Sequence, residues 1–441
     1  MAAEGIDPAV FQRLVPSQFI SFSFPNPLRW PQTPYADTLR VAVLDSASLS
    51  PPMIAAIVVP HRREDDWLFS THAGHLQLLH SFTPSLPVSR LVLVGDLPSS
   101  PSSLPRPYSR HQPDDPSSLD GFKQSLLPLL LVLCPKSAFS DGFPSITFLS
   151  YEDDIIRSTP VEKLAGPSVG EMLIEDVEID LSPAGPELRR RLRFKRMPNL
   201  VQTQVRLLPK SVPEVGSMVQ PYLKPMVAAL SLNAPAIEVA VDSGSPPTAL
   251  CIGVGGGPLL MSLRSHLGFR VVGVEGDAAV LRVAHRHFGL LEDEFLKVIV
   301  GDGIKLFENY TRERSKRDRF HAVMVDLDEQ DPMKEITAPP AEFLRPNVLL
   351  GARLALQKQG ILVVNVIPSA EGYFLKVVEL FREVFGELYE VGEGDGVNRV
   401  LIAATSPLRS VSEEKKKKEG PLYEKLKQLD CDRFIDAIRK I

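Results

Sequence analysis

Short apolar runs punctuated by proline and serine fill the front of the chain, at 39–44, 54–59, 90–94, 129–134 and 146–149. Runs of that length between breakers predict buried strands rather than long helices. Between Leu97 and Asp120 more than half of the positions are serine or proline. Such a composition buries too little surface to offset its ordering entropy, which predicts a mobile loop over 97–120. An extended pattern resumes at Glu171–Glu178, and the runs 188–194 and 200–208, joined by 195–199, predict a hairpin.

After a helical stretch at Tyr222–Leu230 the pattern changes to a regular alternation. Strand-like runs at 249–254, 271–275, 297–300, 322–327 and 361–367 are separated by helical segments near 259–267, 278–288, 347–357 and 374–385. Alternation of this kind predicts a parallel sheet covered by helices on both faces. Two last runs, 387–391 and 399–405, flank the glycine-rich Gly392-Glu-Gly-Asp-Gly396 and predict a terminal hairpin. The expected division is a strand-rich accessory region at 1–165, an α/β domain at 170–408 led by the hairpin 188–208, and a charged linker with a C-terminal helix at 409–441.

Composition narrows the function classes. With 441 residues, 44% of them hydrophobic and 23% charged, the chain is neither a fibre nor a largely disordered protein. A net charge of −5 exerts no overall pull on nucleic acid, and the four lysines of Ser412–Gly420 stand among three glutamates. Cys134, Cys251 and Cys431 are too far apart for a zinc motif or a disulfide framework, so no metal is expected. The longest apolar stretch, Leu126–Cys134, is too short to span a bilayer, and Met1–Pro25 lacks a secretory pattern. These features predict a cytoplasmic protein with no membrane or direct nucleic-acid partner; they are silent on oligomeric state.

Candidate chemistry gathers at the ends of the predicted strands. The first strand of the alternation runs into Gly253-Val-Gly-Gly-Gly-Pro258, in which Gly253, Gly255 and Gly257 let the backbone turn and leave amide donors at a helix N-terminus. Pro258 occupies the third glycine position of the dehydrogenase fingerprint, so that motif is not met. Glu275 ends the next strand, where a carboxylate can accept from both hydroxyls of a ribose. Asp302 and Gly303, in Gly301-Asp-Gly303, follow the third strand, where an acid can accept from an adenine amine; a solvent-facing turn is the alternative. Together the three signals favour an adenosine ligand on the carboxyl edge of the sheet. Asp326, Asp328 and Asp331 follow the fourth strand and could hold an incoming ammonium. Asn365, at the end of the fifth, could orient an amine or serve a turn.

These residues resemble the class I S-adenosylmethionine-dependent methyltransferases of the spermidine-synthase-like branch. More closely, Glu171–Thr405 resembles the C-terminal half of the methyltransferase-like protein 13 family, the elongation factor 1-alpha lysine and N-terminal methyltransferases. The likeness rests on Gly170-Glu-Met-Leu-Ile-Glu-Asp-Val177, Leu200-Val-Gln-Thr-Gln204, Gly253-Val-Gly-Gly-Gly257, Val325-Asp-Leu-Asp-Glu-Gln-Asp-Pro332 and Ala338-Pro-Pro340. It extends upstream through Ile57-Val-Val-Pro60 and Asp66-Trp-Leu-Phe69. The resemblance implies a Rossmann-like α/β sheet, S-adenosylmethionine as cofactor and elongation factor 1-alpha as protein substrate. It also places Gln202 and Tyr222 at positions that contact cofactor or acceptor, although hairpin packing explains either residue as well. No glycine-rich cofactor loop precedes residue 248, which points to the family's N-terminal-amine activity rather than its lysine activity. The alternatives are a polyamine aminopropyltransferase, disfavoured by Gly256 where that family carries an acid, and a non-catalytic scaffold.

Overall fold

The computed structural model describes residues 7–29, 32–46, 52–82, 86–100, 103–110, 116–140, 142–312, 319–329, 331, 334, 336–368, 370–392, 398–408 and 420–441. Pro332, the glycine-rich turn after Gly392 and the lysine run 412–419 lie outside these residues. The chain forms two compact units. The smaller holds residues 1–163, 173–188 and 193–200, and the larger holds 164–172, 189–192 and 201–441. The strands Ile155–Gly166, Gly170–Asp180 and Pro186–Phe194 are therefore divided between the units, whereas Val201–Leu208 lies wholly in the larger one.

Among the described residues, the larger unit is built on a nine-stranded sheet whose main strands are β1 (Thr248–Ile252), β2 (Arg270–Glu275), β3 (Leu296–Val300), β4 (Phe320–Val325), β5 (Leu356–Pro368), β6 (Glu387–Gly392) and β7 (Arg399–Ala404). They lie in the order β3-β2-β1-β4-β5-β7-β6. Strands β1 to β5 are parallel, and β7 pairs antiparallel with both β5 and β6. The expected terminal hairpin thus forms. Helices α1 (Pro258–Ser265), α2 (Ala278–His287), α3 (Gly303–Arg312), α4 (Pro346–Leu354) and α5 (Glu371–Arg382) alternate with these strands, and the helix Leu223–Ala228, ahead of β1, also packs on the sheet. Successive residues serve opposite faces. Ala249 and Cys251 join a core with α1 and the segment 223–230, while Leu250 and Ile252 join one with α3, α4 and α5. Burial on both faces explains why these strands read as unbroken apolar runs. The strand order is that of a doubly wound nucleotide-binding sheet with an antiparallel strand inserted, and its order reverses between β1 and β4. The α/β, Rossmann-like fold of the class I methyltransferases is therefore present.

The C-terminal segment is more than an appended helix. Two short helices, Pro421–Gln428 and Asp432–Ala437, put Leu422, Leu426, Cys431 and Phe434 into the core of the larger unit. Arg439–Lys440 then pairs with β6.

The smaller unit corrects the expectation of a merely strand-rich region. Its mixed sheet takes the order 19–25, 38–45, 90–96, 54–58, 146–149 and carries helices on both faces. Leu129–Cys134, read above as a strand, instead belongs to the end of helix Pro116–Val132 and the turn after it. Phe122, Leu126, Leu129, Leu130 and Leu133 fall on one face at helical spacing and enter the core. The described part of the serine–proline segment is also anchored rather than free: Asp65 accepts from the amide of Ser99 at 2.5 Å and from the guanidinium of Arg106 at 2.9 Å. Among the described residues no helix is long and apolar enough to cross a membrane.

Candidate functional site

Gly253, Gly255 and Gly257 all adopt positive φ, at 82°, 53° and 88°. Space as well as conformation demands glycine here. A Cβ at 253 would lie 2.0 Å from the carbonyl oxygen of Asp326, and one at 255 would lie 2.5 Å from Oγ1 of Thr203. One at 256 would meet Cγ2 of Thr203 at 2.5 Å and the ring of Phe288 at 2.8 Å. Thr203 is also bonded to the loop, its Oγ1 accepting from the amide of Gly256 at 2.8 Å. The sequence reading passed over this residue, although it stands within Leu200-Val-Gln-Thr-Gln204. Beside it, the side-chain nitrogen of Gln202 is buried and has no hydrogen-bond partner among the described residues.

The loop is fastened on its other side by Glu275, which ends β2 and is 8% exposed. Its Oε2 accepts from the amides of Val254 and Gly255 at 3.1 and 3.3 Å, and its Oε1 from the amide of Asp277 at 3.1 Å. Burial pushes its pKa above the usual carboxylate range against the pull of those three donors. Asp277 caps α2, with Oδ1 accepting from the amide of Ala279, and its Oδ2 accepts from the amides of Ser168 and Val169 at 2.8 and 3.1 Å. Asp302 is exposed and caps α3, accepting from the amides of Ile304 and Lys305 at 2.9 and 3.1 Å. These two bonds are a helix N-cap. Gly303 is required by close packing, since a Cβ there would fall 2.2 Å from Ile252.

A second cluster forms where β4 ends. The amide of Asp326 continues the pairing with β1 by donating to the carbonyl of Ile252 at 2.9 Å. Its carboxylate accepts from the hydroxyl of Tyr222 at 2.8 Å through Oδ2 and from Nδ2 of Asn365 at 3.0 Å through Oδ1. Asn365 lies inside β5, which runs on to Pro368, and does not end it as expected; its neighbour Val364 faces the opposite core. Burial raises the pKa of Asp326, and burial together with the charges of Asp326 and Asp328 raises that of Tyr222 well above 10.

The acidic segment does not act as one block. Asp328 is partly buried and reaches Tyr222 through its field, whereas Asp331 is exposed. The amide of Asp331 donates to Glu329, a carboxylate 4% exposed and paired with Lys334 at 2.8 Å, which the sequence reading did not single out. Asp326 is the aspartate hydrogen-bonded to the predicted site residues Tyr222 and Asn365. The glycine loop with Glu275 and the cluster around Asp326 both lie at carboxyl ends of parallel strands beside the β1/β4 reversal, the place where open α/β sheets bind ligands.

No protein-family model matches the chain. It is 27% identical over 406 residues to the eEF1A lysine and N-terminal methyltransferase of Xenopus laevis, covering 84% of this chain and 53% of that protein. The human protein of the same name is 25% identical over 402 residues, covering 83% of this chain and 53% of its own length. Among solved structures, human methyltransferase-like protein 13 in complex with SAH aligns with 47% of this chain and 91% of its own, at 24% identity and a TM-score of 0.42. The chain spans about half the length of the curated relatives it matches. Over most of its own length, this chain is similar to proteins named eEF1A lysine and N-terminal methyltransferase.

Proposed function

We propose that the chain is an S-adenosylmethionine-dependent protein methyltransferase whose acceptor is the N-terminal α-amine of elongation factor 1-alpha. The observation that carries this reading is the meeting, at neighbouring strand ends, of a glycine loop held by Glu275 and a carboxylate held by Tyr222 and Asn365. Similarity to the curated relatives supplies the substrate.

The residues present fit the cofactor. Gln202 carries a buried donor with no partner among the described residues, and Gly253, Gly255 and Gly257, all at positive φ, turn the loop tightly between β1 and α1 at the carboxyl edge of the sheet. These residues, with Glu275, Asp302 and Gly303, would hold it, and Thr203 would keep the loop in place. When bound, the cofactor supplies a methyl carbon activated by a sulfonium. The protein's own task is then to present a neutral amine in line with that carbon. An α-amine, with a pKa of about 7.7–8.0, is partly neutral near physiological pH, whereas lysine at about 10.4 is almost wholly protonated. Asp326 accepts from the amine and orients it. Because a carboxylate raises the pKa of an amine beside it, Asp326 is a positioning group rather than the base. Asn365 acts through Asp326, since its amide nitrogen is bonded to that carboxylate. Asp328 and Asp331 add negative potential for an ammonium and rank below Asp326.

The tight fit of Gly256 between Thr203 and Phe288 weighs against an acidic side chain there, and so against the aminopropyltransferase alternative. The test is mass spectrometry of elongation factor 1-alpha after incubation with enzyme and S-adenosylmethionine, with free and with acetylated N-terminus. Label on the free amine alone is the expected result. Equal labelling of the acetylated form, or label only on lysine, overturns the acceptor assignment.

A further inference from the structure

Two amides at the outer ends of the Asp326 cluster do not touch the carboxylate. Gln220 Nε2 donates to the Tyr222 oxygen at 3.1 Å, and Asn398 Nδ2 donates to Asn365 Oδ1 at 3.0 Å. The chain runs Gln220, Tyr222, Asp326, Asn365, Asn398, and its direction is determined by its chemistry.

At the first end the backbone decides. Gln220 is 6% exposed; its Oε1 accepts from the amide of Gln204 at 3.4 Å, while Nε2 faces the carbonyl oxygens of Val201 and Gln202 at 3.2 and 3.5 Å. A peptide N–H can only donate and a carbonyl can only accept, so the side-chain amide has one satisfactory orientation. Its nitrogen is thus the end that meets Tyr222. A phenol has a single proton, and with its oxygen accepting from Gln220 that proton goes to Asp326. At the other end a carboxylate only accepts, so Asn365 must present its nitrogen to Asp326 and its oxygen to Asn398. Asn365 is 1% exposed, and without Asn398 that buried oxygen would lose its partner.

We infer that Gln220 and Asn398 are positioning residues of the methyl-transfer site, which fix the direction of the hydrogen bonds reaching Asp326 and so hold its carboxylate with both oxygens accepting. The inference rests on the methyltransferase reading above. Neither residue needs to touch cofactor or acceptor for this role.

The test is a double-mutant cycle on the full chain, with S-adenosylmethionine affinity by calorimetry, kcat and KM for N-terminal methylation, and thermal unfolding as a check on folding. Gln220→Leu is expected to lower kcat about tenfold, the loss of roughly one well-made hydrogen bond, with cofactor affinity and KM within about twofold of wild type. In a Tyr222→Phe background the same substitution should change kcat by less than about twofold, because no phenol proton remains to be directed. Asn398→Ala, at a partly exposed position, probes the other end independently and should also lower kcat without moving cofactor affinity. An undiminished effect of Gln220→Leu in the Tyr222→Phe background, or unchanged kcat in folded Gln220→Leu or Asn398→Ala, overturns the inference. Wild-type protein that binds S-adenosylmethionine but methylates no form of the factor overturns the underlying reading instead.

Discussion

Asp326 accepts from two neutral donors, Tyr222 and Asn365, yet burial still lifts its pKa above the ordinary carboxylate value. Two consequences follow at this residue. Asp326→Asn is expected to keep cofactor affinity within a few-fold and lose most methyl transfer, because the substitution removes the charge that meets the acceptor but not the glycine loop. Near-normal turnover would return Asp326 to a structural role. The acid limb of the wild-type pH–rate profile should lie above about pH 3.9, with activity falling as pH drops through the raised value. A profile flat down to that ordinary value, in protein that stays folded, would show that the ionised carboxylate is not needed. Glu275 makes a different prediction: Glu275→Ala strands three backbone amides, those of Val254, Gly255 and Asp277. Cofactor affinity should fall at least tenfold or so, and the fold should lose about 1–3 kcal/mol. Calorimetric titration that finds unchanged affinity in the folded variant defeats its assignment.

At the scale of elements, the glycine loop takes its shape from strand Val201–Leu208 as much as from β1. Thr203 bonds the amide of Gly256 and occupies the space where side chains at 255 and 256 would begin. Gly256→Asp should therefore weaken cofactor binding more than Thr203→Val, which keeps the shape and loses one hydrogen bond of about 1 kcal/mol. Equal affinity for wild type and Gly256→Asp, measured by titration, would show that the loop tolerates the displacement. Here the limits of the sequence are visible in particular residues. Gly253-Val-Gly-Gly-Gly257 and Glu275 could be found because glycines and an acid at successive strand ends are local signals. Thr203 could not be ranked, because nothing in Leu200-Val-Gln-Thr-Gln204 says which side chain meets a loop some fifty residues later. Asp302 had two readings from sequence, and its bonds to the amides of Ile304 and Lys305 supply a capping role.

At the scale of the whole molecule, the smaller unit buries a linked set of charges. Asp66 pairs with Arg63 and Arg193, each at 2.9 Å, and Arg193 also pairs with Glu175 at 2.6 Å. The two guanidinium groups hold the Asp66 carboxyl well below its usual range despite burial. A carboxyl depressed on folding stabilises the native state above its unfolded pKa, and that contribution is lost as pH falls through the folded value. Asp66→Asn should cost about 1.5–3 kcal/mol at pH 7, since it removes the carboxylate shared by two buried guanidinium groups and leaves Arg63 to Asp153 and Arg193 to Glu175. The deficit relative to wild type should shrink in acid as the wild-type carboxyl protonates. Urea unfolding at neutral and acid pH checks both parts; a deficit that does not change with pH would mean that packing, not charge, is responsible.

From residue 248 onward strands β1 to β7 were legible in the sequence alone, because a sheet buried on both faces must write its strands as apolar runs, whereas the helix Gly303–Arg312 was not read from it. The glycine loop and the acids after the second and fourth strands were legible too, since each is a local requirement of a strand end. The helix at 116–132 escaped because proline at 128 and serines upstream mask a helical period that only the facing sheet makes necessary. The partners of Asp326 were decided by tertiary structure in the same way. Tyr222, Asn365 and Asn398 come from distant parts of the chain, and the hydrogen bonds that join Tyr222 and Asn365 to Asp326 and Asn398 to Asn365 depend on strand order and register, which no local pattern encodes.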